Sequence, residues 1–172
     1  LASAPRLRRL ADSGANFVIW GPVVEGMPGR YVCSDNAAGA EQATRHLLAH
    51  GRRRIAYAGS ASDHWPEFQL RHAGYVRALR AAGIEPDASL QAEARSSEAA
   101  GREAARALLD SGRGFDAVFA ASDQIAIGII GALRERGLSG YFQGIYGSPT
   151  AKGNLLKALV NAAGGRNRRG RY

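Results

Sequence analysis

At 172 residues, 45% of them hydrophobic, the chain is long enough for one domain with a true core or for parts of two, which excludes both a disordered segment and a mini-protein. Its formal charge of +8 belongs to one end: residues 1–138 hold 17 basic and 15 acidic side chains, and the other six basic residues, Lys152 to Arg171, have no acid among them. Arginine outnumbers lysine 21 to 2, a bias of composition rather than a field built to grip phosphates.

The single cysteine, Cys33, rules out an internal disulfide framework and any multi-cysteine metal site, and it suits a reducing, cytoplasmic compartment. No run of 18 apolar residues exists, so no membrane span is expected. The chain starts at Leu1, and "LASAPRLRRL" lacks the apolar stretch of a signal peptide, so a piece of a longer protein is expected.

In chain order, "NFVIWG" (16–21) is a short apolar run closed by Gly-Pro and predicts a buried strand, and "RYVCS" (30–34) predicts another. "DNAAGAEQATRHLLAHG" (35–51) opens with an Asp-Asn cap, sets Ala40, Ala43, Leu47 and Leu48 on one face and stops at Gly51, the signature of a helix. The same beat continues with a strand at 53–59, a helix at 67–83, a weaker strand at 88–94, a helix at 96–112 with serine at its cap, a strand at 115–121 and a helix at 122–137. Strands and helices in strict turn predict βαβ units, hence an α/β fold with a parallel sheet and helices on both faces. After Leu138 the beat fails: 141–146 suits a strand, 149–162 a helix, and the Gly/Arg end is expected to be disordered.

"SDNAAGAEQATRHLLAHGRRRIAYAGS", Arg71 within "RHAGYVRALRAAGI", and "FDAVFAASDQIAIGIIGALRERGL" together resemble the effector-binding core of the LacI/GalR family of bacterial transcription regulators. The resemblance covers residues 17–138, and the order and spacing of the three segments match the family's pattern. It implies an incomplete periplasmic-binding-protein-like (type I) core: two α/β subdomains with a ligand in the cleft between them. Residues 1–34 are then the end of the first subdomain, 35–51 the crossing helix, and 52–138 the second, incomplete subdomain. Residues 139–172 form a divergent basic tail where the family's next strand, V-G-F-D-D, should begin, through frameshift, truncation or divergence.

Parallel α/β sheets bind ligands at the carboxyl ends of their strands. Among the places that rule selects is Gly21-Pro22, a turn or a cleft-shaping backbone. In "SASDHWPEFQLR", Trp65 can stack on a sugar face, and Glu67 and Arg71 can bond hydroxyls or a carboxylate. Arg71 falls where the family carries a ligand-contacting arginine, whereas Trp65 and Glu67 suit a plain surface equally. Ser96 reads as a cap. Ser122 and Asp123 are fully explained as helix cap and dipole partner, although the family uses the Ser122 position to touch ligand. Asp35 and Asn36 read as caps of the crossing helix. Arg52, Arg53 and Arg54 enter a strand, so they point to alternate faces and form a solvated surface rather than a phosphate clamp.

His46, His50, His64 and His72 lack close metal-ligand spacing, no phosphate-binding glycine loop follows a strand, and no nucleophile, base and orienter can be assembled. Neither catalysis nor a cofactor is called for. The resemblance implies a sugar-sensing domain of a dimeric repressor that reaches operator DNA through a separate N-terminal domain and is regulated allosterically, with no membrane partner. The alternatives are a periplasmic sugar-binding protein of an ABC transporter and, more remotely, an α/β enzyme.

Overall fold

A computed structural model describes residues 4–60 and 65–138 apart from 22, 24, 25 and 27, together with Gly140. The expected elements of the tail and the loop residues Asp63 and His64 lie outside the described residues. The chain divides at Arg136 into two units, and everything below concerns the first.

That unit opens with α1 (Ala4–Asp12), followed by β1 (Val18–Trp20) and β2 (Arg30–Val32), which pair in parallel with Val18 opposite Arg30. Then come α2 (Asn36–Ala49), β3 (Ile55–Ala58), α3 (Pro66–Ala81), β4 (Gln91–Ala92), α4 (Glu98–Asp110), β5 (Ala117–Ala120) and α5 (Asp123–Glu135). Local chemistry starts helices α2 to α5. Asp35 accepts the Ala38 N–H ahead of α2, Ser97 that of Ala100 ahead of α4, and Ser122 that of Ile125 ahead of α5. Pro66 begins α3, where its missing N–H costs nothing.

Strands β4, β3 and β5 form a second parallel sheet in that spatial order. All four residues of β3 are buried, because the sheet is covered on both faces. On one face the Tyr57 ring stacks on Phe119, with centroids 5.7 Å apart, and meets Tyr75 of α3 at 5.3 Å. On the other, Ala56 packs with Leu90, Val118 and Leu108 of α4. The alternation of neighbouring side chains along β3 thus assigns α3 and α4 to opposite faces. Right-handed crossovers require the same, since the chain leaves β3 for β4 on one side and then passes beyond β3 to β5 on the other.

Three expectations need correction. The strand expected over 88–94 is only Gln91–Ala92: the Asp87 carboxylate accepts the Ser89 N–H at 2.8 Å and turns Ala88–Leu90 into a 3₁₀ turn. "NFVIWG" is not a buried strand, since Val18 is 61% and Trp20 78% exposed; a two-stranded sheet has no second layer over that face among the described residues. The cap of α4 is Ser97 and not Ser96, whose hydroxyl donates to Ser122 Oγ at 3.0 Å.

Candidate functional site

In the order β4-β3-β5 the connections reverse direction between β3 and β5, so the crevice at the carboxyl ends of these two strands is the topological switch point of the sheet. The chain leaves β3 through Gly59 and Ser60 and leaves β5 through Ala121 and Ser122. Gly59 lets the two exits close up: a Cβ there would sit 2.6 Å from the Ala121 Cβ and 2.7 Å from the Tyr57 hydroxyl.

Arg71 spans this crevice from the second turn of α3. Its Nε donates to Asn36 Oδ1 at 2.8 Å, its Nη1 donates to the Ala121 carbonyl at 2.5 Å, and its Cζ lies 5.4 Å from the centre of the Phe68 ring. Both hydrogen-bond partners are neutral, and among the described residues no carboxylate lies within ion-pair distance. The guanidinium is therefore oriented but not neutralised by the described residues, an arrangement suited to receiving a hydroxyl pair or an anionic group.

Ser122 is brought to the same point, since the carbonyl that holds Arg71 belongs to the residue before it. Its Oγ caps α5 and receives the Ser96 hydroxyl, so the carboxyl end of β5 and the approach to α4 are linked there. Asp123 is exposed on the first turn of α5. Trp65 precedes α3 without a side-chain cap bond and is 45% exposed, and Glu67 is half-buried on the first turn. No hydrogen bond or ion pair joins either to Arg71 among the described residues; α3 brings all three to the same end of the sheet.

Burial raises both core tyrosines above the ordinary value: Tyr57 far up, with the nearby Arg71 charge offsetting part of the effect, and Tyr75 to about 12. Each remains a phenol that donates, Tyr57 to the Phe68 carbonyl at 3.3 Å and Tyr75 to the Ile55 carbonyl at 2.8 Å.

Two contacts escaped the sequence. Asn36, read as a cap, instead holds Arg71; the signal was that Asp35 already fills the cap, which leaves Asn36 free at the first helical position. Asp116 accepts the backbone N–H groups of Arg53 at 2.7 Å and Arg54 at 3.0 Å, while Arg54 Nε donates to the Gly114 carbonyl at 2.6 Å. Arg53 and Arg54 are thus exposed, and Arg52 half-buried, with the run anchored at the amino end of β3, away from the crevice. A recess of about 630 Å³ bounded by Ala11, Phe17, Val18 and Arg30 likewise opens at the amino end of β1, not at the switch point.

Residues 44–139 match the family described as the periplasmic binding protein-like domain. The chain is 37% identical over 136 residues to the HTH-type transcriptional regulator CelR of Thermobifida fusca, with 77% of this chain and 39% of that protein aligned. It is 34% identical over 128 residues to the HTH-type transcriptional regulator GalS of Salmonella typhimurium, covering 74% of this chain and 37% of that one. The solved CelR–cellobiose complex superposes with a TM-score of 0.67 at 36% identity, over 77% of this chain and 41% of its own. The chain therefore spans about two fifths of the length of these relatives. On the match to residues 44–139 the chain belongs to the periplasmic binding protein-like family, and it aligns with part of the core of LacI/GalR-type transcription regulators.

Proposed function

We propose that the chain forms part of the effector-binding domain of a cytoplasmic LacI/GalR-type repressor, a binding module rather than an enzyme. A small molecule, a sugar in the first instance, occupies the crevice at the carboxyl ends of β3 and β5. Arg71 anchors it, Trp65 stacks on it, and Glu67, Ser122 and Asp123 bond its hydroxyls. Residues 1–34 belong to the first subdomain, 35–51 to the crossing helix and 52–138 to the second subdomain. The effector sits between the two subdomains and shifts the population of their arrangements, and a dimer relays that shift to DNA-binding segments outside this chain.

The observation that carries this reading is Arg71, held at the switch point by two neutral acceptors with its charge uncompensated among the described residues. The CelR neighbour, solved with cellobiose, supports a sugar as the class of ligand. The test is thermal unfolding of the longer regulator with a panel of mono- and disaccharides that includes cellobiose. A sugar at a hundred times its dissociation constant should stabilise the fold by about 2.7 kcal/mol and raise the midpoint by several degrees. A panel in which no sugar moves the midpoint contradicts the reading.

A further inference from the structure

Asn36 is the first residue of α2, yet the cap of that helix is Asp35, whose Oδ1 accepts the Ala38 N–H at 2.9 Å. The Asn36 side chain is used at both of its ends instead. Its Oδ1 accepts from Arg71 Nε at 2.8 Å, and its Nδ2 donates to the Ser34 carbonyl at 3.2 Å. These two bonds specify each other: with the amide reversed, an NH₂ group would face the guanidinium N–H and an oxygen would face a carbonyl oxygen. Arg71 is consequently held at Nε by Asn36 and at Nη1 by the Ala121 carbonyl, and the plane of its fork is fixed.

We propose that Asn36 is a positioning residue that orients the Arg71 guanidinium for the effector and, through Ser34, makes the segment joining β2 to α2 part of the same hydrogen-bonded unit. The inference rests on reading Arg71 as the effector's anchor. An effector that displaces Arg71 then also displaces the Asn36 amide and the Ser34 carbonyl. This gives a covalently short path from the crevice to the strand pair that precedes α2. A side chain that merely began a helix would have no reason to reach Arg71, 35 residues further along the chain.

The test is the Arg71 Nε–Hε signal in the ¹⁵N-labelled full chain, identified by its disappearance in Arg71→Lys. Asn36→Ala should speed exchange of that proton with water about threefold to tenfold, the loss of one net hydrogen bond, and should shift its resonance. Asn36→Asp retains an acceptor and should keep exchange slow, which also serves as the control for folding. Reciprocally, Arg71→Lys should move the amide signals of Ser34 to Ala37. A role confined to the end of α2 would alter local amide signals in Asn36→Ala but leave Arg71 Hε unchanged. Equal Arg71 Hε exchange in wild type and Asn36→Ala, or an Asn36→Asp chain behaving like Asn36→Ala, would overturn the proposal. No effector is needed, so a failure of sugar binding is a separate result that bears only on the pocket reading.

Discussion

Tyr75 shows what the core demands of a single side chain. Its ring is 1% exposed, its hydroxyl is satisfied by the Ile55 carbonyl, and burial, helped by the Asp87 charge, raises its pKa from 10.0 to about 12. In the unfolded chain the phenol ionises at its ordinary value, so the folded state keeps its full advantage below pH 10 and loses it as the pH rises towards 12. That amounts to about 2–3 kcal/mol for this residue, and Tyr57 acts in the same direction. Urea unfolding followed from pH 9 to pH 12 should therefore show a steep alkaline fall that Tyr75→Phe makes shallower. Identical slopes for the two proteins would mean that the hydroxyl is hydrated in the folded state. Among the arginines, environment separates residues of one type: Arg54 is consumed by Gly114 at the amino end of β3, while Arg71 stands oriented, and unneutralised among the described residues, at the carboxyl end.

Three of the helices, α2, α4 and α5, begin where a side-chain oxygen meets a free backbone N–H. Ser97 accepts the Ala100 N–H at 3.1 Å, so Ser97→Ala should cost about 1 kcal/mol, whereas Ser96→Ala, which removes only a hydroxyl contact to Ser122, should cost well under half of that. Chemical denaturation of the two variants decides this, and a larger loss for Ser96→Ala would reverse the assignment. Helices of this kind were legible in the sequence to within two or three residues, because Asp35, Ser122, Gly51 and Gly83 are local signals of starts and stops. The strand at β4 was not, because the Asp87–Ser89 bonds compete locally with extended backbone. Burial of "NFVIWG" was misread for a different reason: apolar character says what a strand can bury, and only the presence of a second layer says what it does bury. Arg71 was singled out through family resemblance, whereas its bond to Asn36 is tertiary and left only an indirect trace in the sequence, a second polar residue beside a cap that Asp35 already fills.

At the scale of the whole described unit, the two sheets differ in kind. The β4-β3-β5 sheet is sandwiched between helices, whereas β1 and β2 pair only with each other and expose Val18, Trp20 and Val32. Hydrogen exchange should accordingly find the amides of β3 and β5 protected near the limit set by global unfolding, and those of β1 and β2 exchanging at least about tenfold faster. Comparable protection in both sheets would mean that something covers the exposed face. On the proposed reading, that face suits the remainder of a first subdomain lying outside this chain. The crevice at the carboxyl ends of β3 and β5 is the proposed effector site, and calorimetry tests it most directly. With the sugar that most stabilises the longer regulator, Arg71→Ala should bind about ten- to a hundredfold more weakly while staying folded, the loss expected for one charged hydrogen bond or two. Arg53→Ala, altered at the opposite end of the same sheet, should bind like the wild type; equal affinity for wild type and Arg71→Ala would contradict the placement of the pocket.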